Sequence, residues 1–211
     1  MNVVIEAAVE SADEAQFAVK NGAARLELCD FAVEGGRTPL EPMVREVSRR
    51  VSVPYHVMIR PRGAGFTYAE PELRVMEIQI DQAKSAGASG VVLGLLLSDH
   101  RIDRIALARL LGRARPLEVV FHRAIDMTPD PVAALDPLLT LGVDRVLTSG
   151  GAATALEGAP TIRRMVELAG NTLSVIAGGS IRARNVRQVV EQTGVVEVHA
   201  RDVKGMREAL A

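Results

Sequence analysis

Residues 69–95 read AEPELRVMEIQIDQAKSAGASGVVLGL, and the two parts of this stretch follow different periods. Leu73, Met76, Ile78, Ile80 and Ala83 form an apolar stripe at helical spacing, which predicts a helix over 69–86. Gly87 ends it, because the residue after a helix needs φ > 0 before the chain turns. The β-branched run 90–95 then reads as a strand.

The same junction recurs at Gly22-Ala23, Gly142-Val143 and Gly194-Val195. Working outward from it, strands are predicted at 3–8, 24–29, 54–60, 90–95, 117–122, 144–149, 173–177 and 195–199, with helices between them. Eight βα units without a linker or a Ser/Pro-rich break predict an α/β chain with one domain over 1–211, a closed (β/α)8 TIM-type barrel. A doubly wound open sheet is the alternative. After the last strand, 202–211 leaves room only for a short or missing last helix. A thinly covered closing edge favours a homo-oligomer, dimer or tetramer.

The 211 residues carry 25 Lys+Arg against 26 Asp+Glu, a formal net charge of -1, with four Phe and two Tyr. There is no overall positive field to attract phosphodiester backbones and little to stack on bases, so nucleic acid is not an expected partner. The longest apolar run, 91–97, is interrupted by Gly94 and is far short of the ~20 residues of a membrane-spanning helix. No membrane partner is expected. The N-terminal MNVVIEAAVES has no basic n-region and carries Glu6 within its apolar stretch, so it reads as a first strand and the expected location is cytoplasmic. Cys29 is the only cysteine, which excludes an intrachain disulfide and an all-thiolate metal site within one chain.

The strands alternate where buried parallel strands usually run continuously apolar. Leu26 and Leu28 alternate with Arg25, Glu27 and Cys29, and Val196 and Val198 with Glu197 and His199. With helices outside, the lumen should receive Glu6, Arg25, Glu27, His56, Arg60, Glu118, His122, Arg145, Glu197 and His199. Ions withdrawn from water persist when paired, so ion-pair networks are the structural reading, above all for Arg25, Glu118 and Arg145 at the strand N-terminal ends.

At the opposite ends the chain reads ELC then EGGRTP (34–39), IRPRGAGFTY (59–68), FHRAIDM (121–127), VLTSGG (146–151), AGGSI (177–181) and EVHAR (197–201). This ordered set of motifs resembles the CutC family across essentially the whole chain. The resemblance implies a cytoplasmic (β/α)8 barrel, often oligomeric, with a role in copper homeostasis and copper as the expected metal. Cu(I) prefers thiolate and thioether ligands, with imidazole acceptable. The candidate metal ligand is Cys29, joined by His122, His199 or Met127; a small core thiol is the other reading of Cys29.

The residues themselves support a second reading, an enzyme acting on a small anionic, phosphorylated or polyhydroxylated metabolite. Arg60 and Arg62, separated by a stiffening Pro, suit an anion clamp; the structural alternative has Arg60 neutralising Glu27 or Glu197. Ser149-Gly150-Gly151 and Gly178-Gly179-Ser180 lie between strand and helix, where backbone N–H groups reach an anion, or else simply make tight turns. Arg123, Asp126 and Thr148 complete the expected ligand-binding set, and Glu27, His122 and His199 are the expected acid/base residues. Lysine occurs only at 20, 84 and 204, so no strand-end amine is available for a Schiff base. GxGxxG, P-loop and GxSxG motifs are absent. By analogy with barrel isomerases, a divalent metal on Glu6, Glu27, Glu197 and a His is a further reading.

Overall fold

The structure, a computed structural model, describes residues 3–211; Met1 and Asn2, at the start of the N-terminal stretch read as a first strand, lie outside the described residues. Strands β1(Val4–Val9), β2(Arg25–Leu28), β3(Tyr55–Met58), β4(Gly90–Leu93), β5(Glu118–Phe121), β6(Arg145–Thr148), β7(Ser174–Ala177) and β8(Glu197–Ala200) pair in parallel and in chain order. The ring closes where β1 pairs with β8, Glu6 opposite His199. Closure is the expected architecture and excludes the open sheet.

The helices are α1(Ala12–Lys20), α2(Glu41–Arg50), α3(Glu70–Ser85), α4(Arg104–Ala114), α5(Leu135–Leu141), α6(Ala159–Ala169), α7(Val186–Thr193) and the short α8(Met206–Leu210). Helix α3 matches the stretch that decided the fold, and Gly87 after it has φ +83°. Leu73, Met76, Ile80 and Ala83 are buried, but Ile78 is 57% exposed, contrary to expectation. At 100° per residue it lies about 200° from both Met76 and Ile80 and so faces away from the sheet. Among the described residues no helix is long and apolar enough to cross a membrane.

Alternation along the strands separates two apolar sets. Leu26, Leu28, Val57, Ile59, Val91, Leu93, Val119 and Phe121 pack outward in the core shared with the helices. Fully burying each such side chain contributes ~1.5–3 kcal/mol. Cys29, Met58, Val92, Val120, Leu147 and Ile176 form a separate apolar cluster inside the barrel. Below this plug, Arg25 pairs with Glu6 and Glu197, Arg145 with Glu118 at 2.7 Å and Glu197 at 3.3 Å, and His56 Nε2 lies 3.1 Å from Glu118. The N-terminal end of the lumen is thus an ion-pair network, as the structural reading expects.

Candidate functional site

Above the plug, a cavity of ≈ 330 Å³ opens at the C-terminal ends of the strands, lined by Glu27, Cys29, Met58, Arg60, Phe66, His122, Arg123, Gly179, Ser180 and His199 among others. Its sequence-derived members come from separate strand ends and loops, brought together by barrel closure.

Arg60 leaves β3 where its backbone N–H turns to Thr38 Oγ1 at 2.7 Å. Its side chain is buried, with the guanidinium carbon 4.8 Å from the centre of the Phe66 ring. Nη1 donates to the carbonyls of Glu34 (3.1 Å) and Gly36 (2.9 Å), while Nε has no partner among the described residues. Arg60 therefore neutralises neither Glu27 nor Glu197. Arg62, expected beside it in a clamp, is turned away: it pairs with Glu72, donates to the carbonyls of Ala64 and Thr67, and does not line the cavity. Two residues along an extended loop, the guanidiniums diverge.

Glu27, buried on β2, has no partner for Oε2 among the described residues. Burial, and then the neighbouring Glu6, push its carboxyl up to about 7, although His199 and Arg25 act in the opposite direction. His199 on β8 places Nδ1 2.8 Å from Glu6 Oε1. Burial lowers its affinity for a proton, but Glu27 and Glu6 outweigh that and hold its pKa above the ordinary histidine value. Glu6 stays far below the carboxylate range despite burial, through the His199 hydrogen bond and Arg25.

His122 follows β5, packed 4.8 Å from Phe66 between ring centroids. Nδ1 accepts the backbone N–H of Ala124 at 3.1 Å, and Nε2 has no partner among the described residues. Burial, reinforced by the Arg60 charge, pushes its pKa down to about 3. Gly94 makes room for the ring: a Cβ there would lie 2.4 Å from His122 Cε1. Sequence reasoning does not find Gly94 and Phe66 as site residues; their only signals are a Gly inside an apolar strand run and an aromatic six residues after Arg60.

The loop after β6 departs from expectation. Ser149 N–H (3.0 and 3.1 Å) and Gly151 N–H (3.1 Å) donate to Asp126, joined by Thr148 Oγ1 and Arg123 Nε (2.9 Å). Gly150 N–H donates to Thr148 Oγ1 at 2.8 Å. The chain's own carboxylate fills this cradle, so Asp126, Thr148, Ser149 and Gly150 form an internal lock rather than an open anion site. In the next loop, Gly178 N–H donates to the Thr148 carbonyl at 2.8 Å. Gly179, with φ +105°, and Ser180, with φ +58°, line the cavity together with Ile181. None of their N–H groups has an acceptor among the described residues. These N–H groups are therefore free donors on a loop that lines the cavity.

For copper, the cavity offers two soft donors. Cys29 and Met58 belong to one cluster; a Cβ on Gly36 would lie 3.1 Å from Met58 Cε and 3.6 Å from Cys29 Sγ. Met127, expected as a partner, is half exposed and does not line the cavity. Burial, and then Glu27, push the Cys29 thiol far up, so it is protonated, and a metal would have to displace that proton to bind here. Among the described residues, Glu6, Glu27 and His199 place donor atoms within 4.8 Å of one another, but that oxygen-rich set does not suit Cu(I), and Glu6 is engaged by Arg25 and His199.

The comparisons with known proteins agree with one another. Residues 3–204 match the CutC family. The chain is 45% identical over 196 residues to the human copper homeostasis protein cutC homolog, covering 93% of this chain and 72% of the relative. It is 38% identical over 199 residues to a family protein CutC from Photobacterium profundum, covering 94% and 81%. The crystal structure of the putative copper homeostasis protein CutC from Streptococcus agalactiae superposes with a TM-score of 0.91 at 32% identity, covering 96% of this chain and 100% of that one. On this sequence and structural agreement, the chain belongs to the CutC family.

Proposed function

We propose that the barrel mouth binds a small anionic metabolite, phosphorylated or polyhydroxylated, and acts on it by acid/base chemistry at Glu27 and His199. The carrying observation is Arg60, a buried guanidinium whose only protein acceptors among the described residues are two backbone carbonyls. An uncompensated buried charge is expensive, and a ligand oxyanion supplies the missing partner through charge-assisted bonds of roughly 1.5–3 kcal/mol. The 179–181 backbone, after β7, adds donors to the same cavity. A carboxyl that titrates near neutrality beside an imidazole that favours its proton gives a pair able to accept and return a proton. Phosphate titrations, by thermal shift and calorimetry, test this with Arg60→Met: the variant keeps the fold and loses about tenfold or more in phosphate affinity. Equal affinity in both proteins removes Arg60 from the site.

Copper homeostasis, the role in the names of its relatives, is the second reading, and Cys29 with Met58 on the cavity wall supports it. Cu(I) enters there as cargo bound by sulfur, in the cytoplasm, whose reducing conditions keep Cys29 a free thiol. Anaerobic Cu(I) titration of wild type and Cys29→Ser tests it. Binding unchanged by the substitution removes this site.

A further inference from the structure

We propose that the cavity catalyses proton transfer next to a carbonyl group, with His122 as a neutral N–H donor to the carbonyl oxygen and Glu27 as the base, on small α-hydroxy aldehydes or ketones that carry an anionic group. The inference rests on the anion-binding, acid/base reading of the cavity and deepens it by naming the reaction class.

Geometry assigns the role of His122. Because Ala124 N–H donates to Nδ1, that nitrogen carries the lone pair and the neutral ring bears its proton on Nε2. Nε2 belongs to a buried ring on the cavity wall and donates to nothing among the described residues. Gly94 and Phe66 bracket the ring, so the donor is held in place before any ligand arrives. A fixed, neutral imidazole N–H can polarise an oxygen on which negative charge develops. Glu27 supplies the complementary function: an unpartnered, buried carboxyl oxygen on β2, lining the same cavity. A carboxylate base and a neutral imidazole electrophile, in a small site with an anion clasp, are the elements that enolisation requires.

The step balances without an oxidant or reductant. The C–H bond next to the carbonyl breaks and its proton passes to Glu27. Its electron pair becomes the C=C of an enediolate, while the carbonyl π pair moves onto the oxygen that faces His122 Nε2–H. Return of the proton to the neighbouring carbon, with the hydroxyl proton passing to the former carbonyl oxygen, yields the isomeric hydroxy-carbonyl compound. Arg60 holds the anionic group and takes no part in bond making.

Two measurements test this on the intact protein. Long-range 15N–1H NMR of the histidines should show His122 with Nε2 protonated, Nδ1 unprotonated and no titration between about pH 5 and 8; a ring protonated on Nδ1, or one that titrates in that range, overturns the assignment. Proton NMR in D2O with dihydroxyacetone phosphate and ribulose 5-phosphate should show exchange of the carbon-bound proton next to the carbonyl. Glu27→Gln and His122→Gln should each slow that exchange by about a hundredfold or more, while inorganic phosphate affinity stays within about threefold. Exchange undiminished in His122→Gln, or absent in wild type that still binds phosphate, overturns the enolisation and leaves the anion site standing. Failure to bind phosphate at all overturns both. The 15N measurement needs no variant, so a misfolded substitution does not shield the proposal.

Discussion

Asp126 accepts the backbone N–H of Ser149 at 3.0 and 3.1 Å, placing the chain's own carboxylate in the loop where sequence alone leads one to expect a ligand anion. Asp126→Ala leaves the amides of Ser149 and Gly151 without an acceptor and should lower stability by about 2–4 kcal/mol. Acetate or phosphate, added to the variant, should refill the vacancy and recover part of the loss in thermal melts. A variant as stable as wild type contradicts the lock.

Two buried arginines should respond in opposite ways. Arg25 pairs with Glu6 and Glu197 at the floor of the lumen, so Arg25→Ala removes the guanidinium shared by two buried carboxylates and should lower stability by ~3–5 kcal/mol. Arg60→Met strands none, and chemical denaturation should find it as stable as wild type or more so. Equal losses at the two positions contradict the division between structural floor and ligand-binding mouth.

Gly94→Ala directs a methyl group against His122 Cε1 and Nδ1, at 2.4 and 2.5 Å before relaxation. Overpacking of this kind costs ~1–3 kcal/mol. The His122 ring resonances should shift with the loss of stability; an unshifted ring means that Gly94 does not seat it.

The fold is legible in the sequence because its determinants are local. Helical spacing over 69–86, glycine junctions and inward polar alternation each act within a few residues, and they predict the barrel, the charged lumen and the short last helix. The site is only partly legible. Glu27 and His199 sit on strands, and Arg60 and His122 one or two residues past a strand end, where the inward direction set by alternation still holds, and all four line the cavity. Arg62 diverges because it lies four residues past β3, well into the loop, where it pairs with Glu72. Likewise, nothing local tells whether the Ser149 and Gly151 amides meet a ligand or Asp126, since that pairing joins loops 23 to 25 residues apart. Ile78 differs for another reason: its apolar character suggests a place in the stripe, and helical geometry turns it away.

Glu27 makes stability depend on pH with a definite sign. Its folded value, about 7, stands above the 4.5 of an ordinary glutamate, so the folded chain holds the proton more tightly. The resulting stabilisation is complete below about 4.5 and is lost as pH rises through about 7. Glu27→Gln should remove this dependence and, at pH 8, stabilise the fold by up to about 3 kcal/mol while abolishing acid/base function. Urea denaturation at pH 5 and pH 8 checks the sign: a variant less stable than wild type at pH 8 contradicts it.

The most direct test of the acid/base site is the titration of the Glu27 side-chain carboxyl itself, followed by 13C NMR with Glu27→Gln to assign the resonance. The account predicts a midpoint near 7, the value set by burial beside Glu6. A midpoint near 4.5, the ordinary glutamate value, would show a solvated or paired carboxylate and contradict the claim that this cavity holds a base poised for proton transfer.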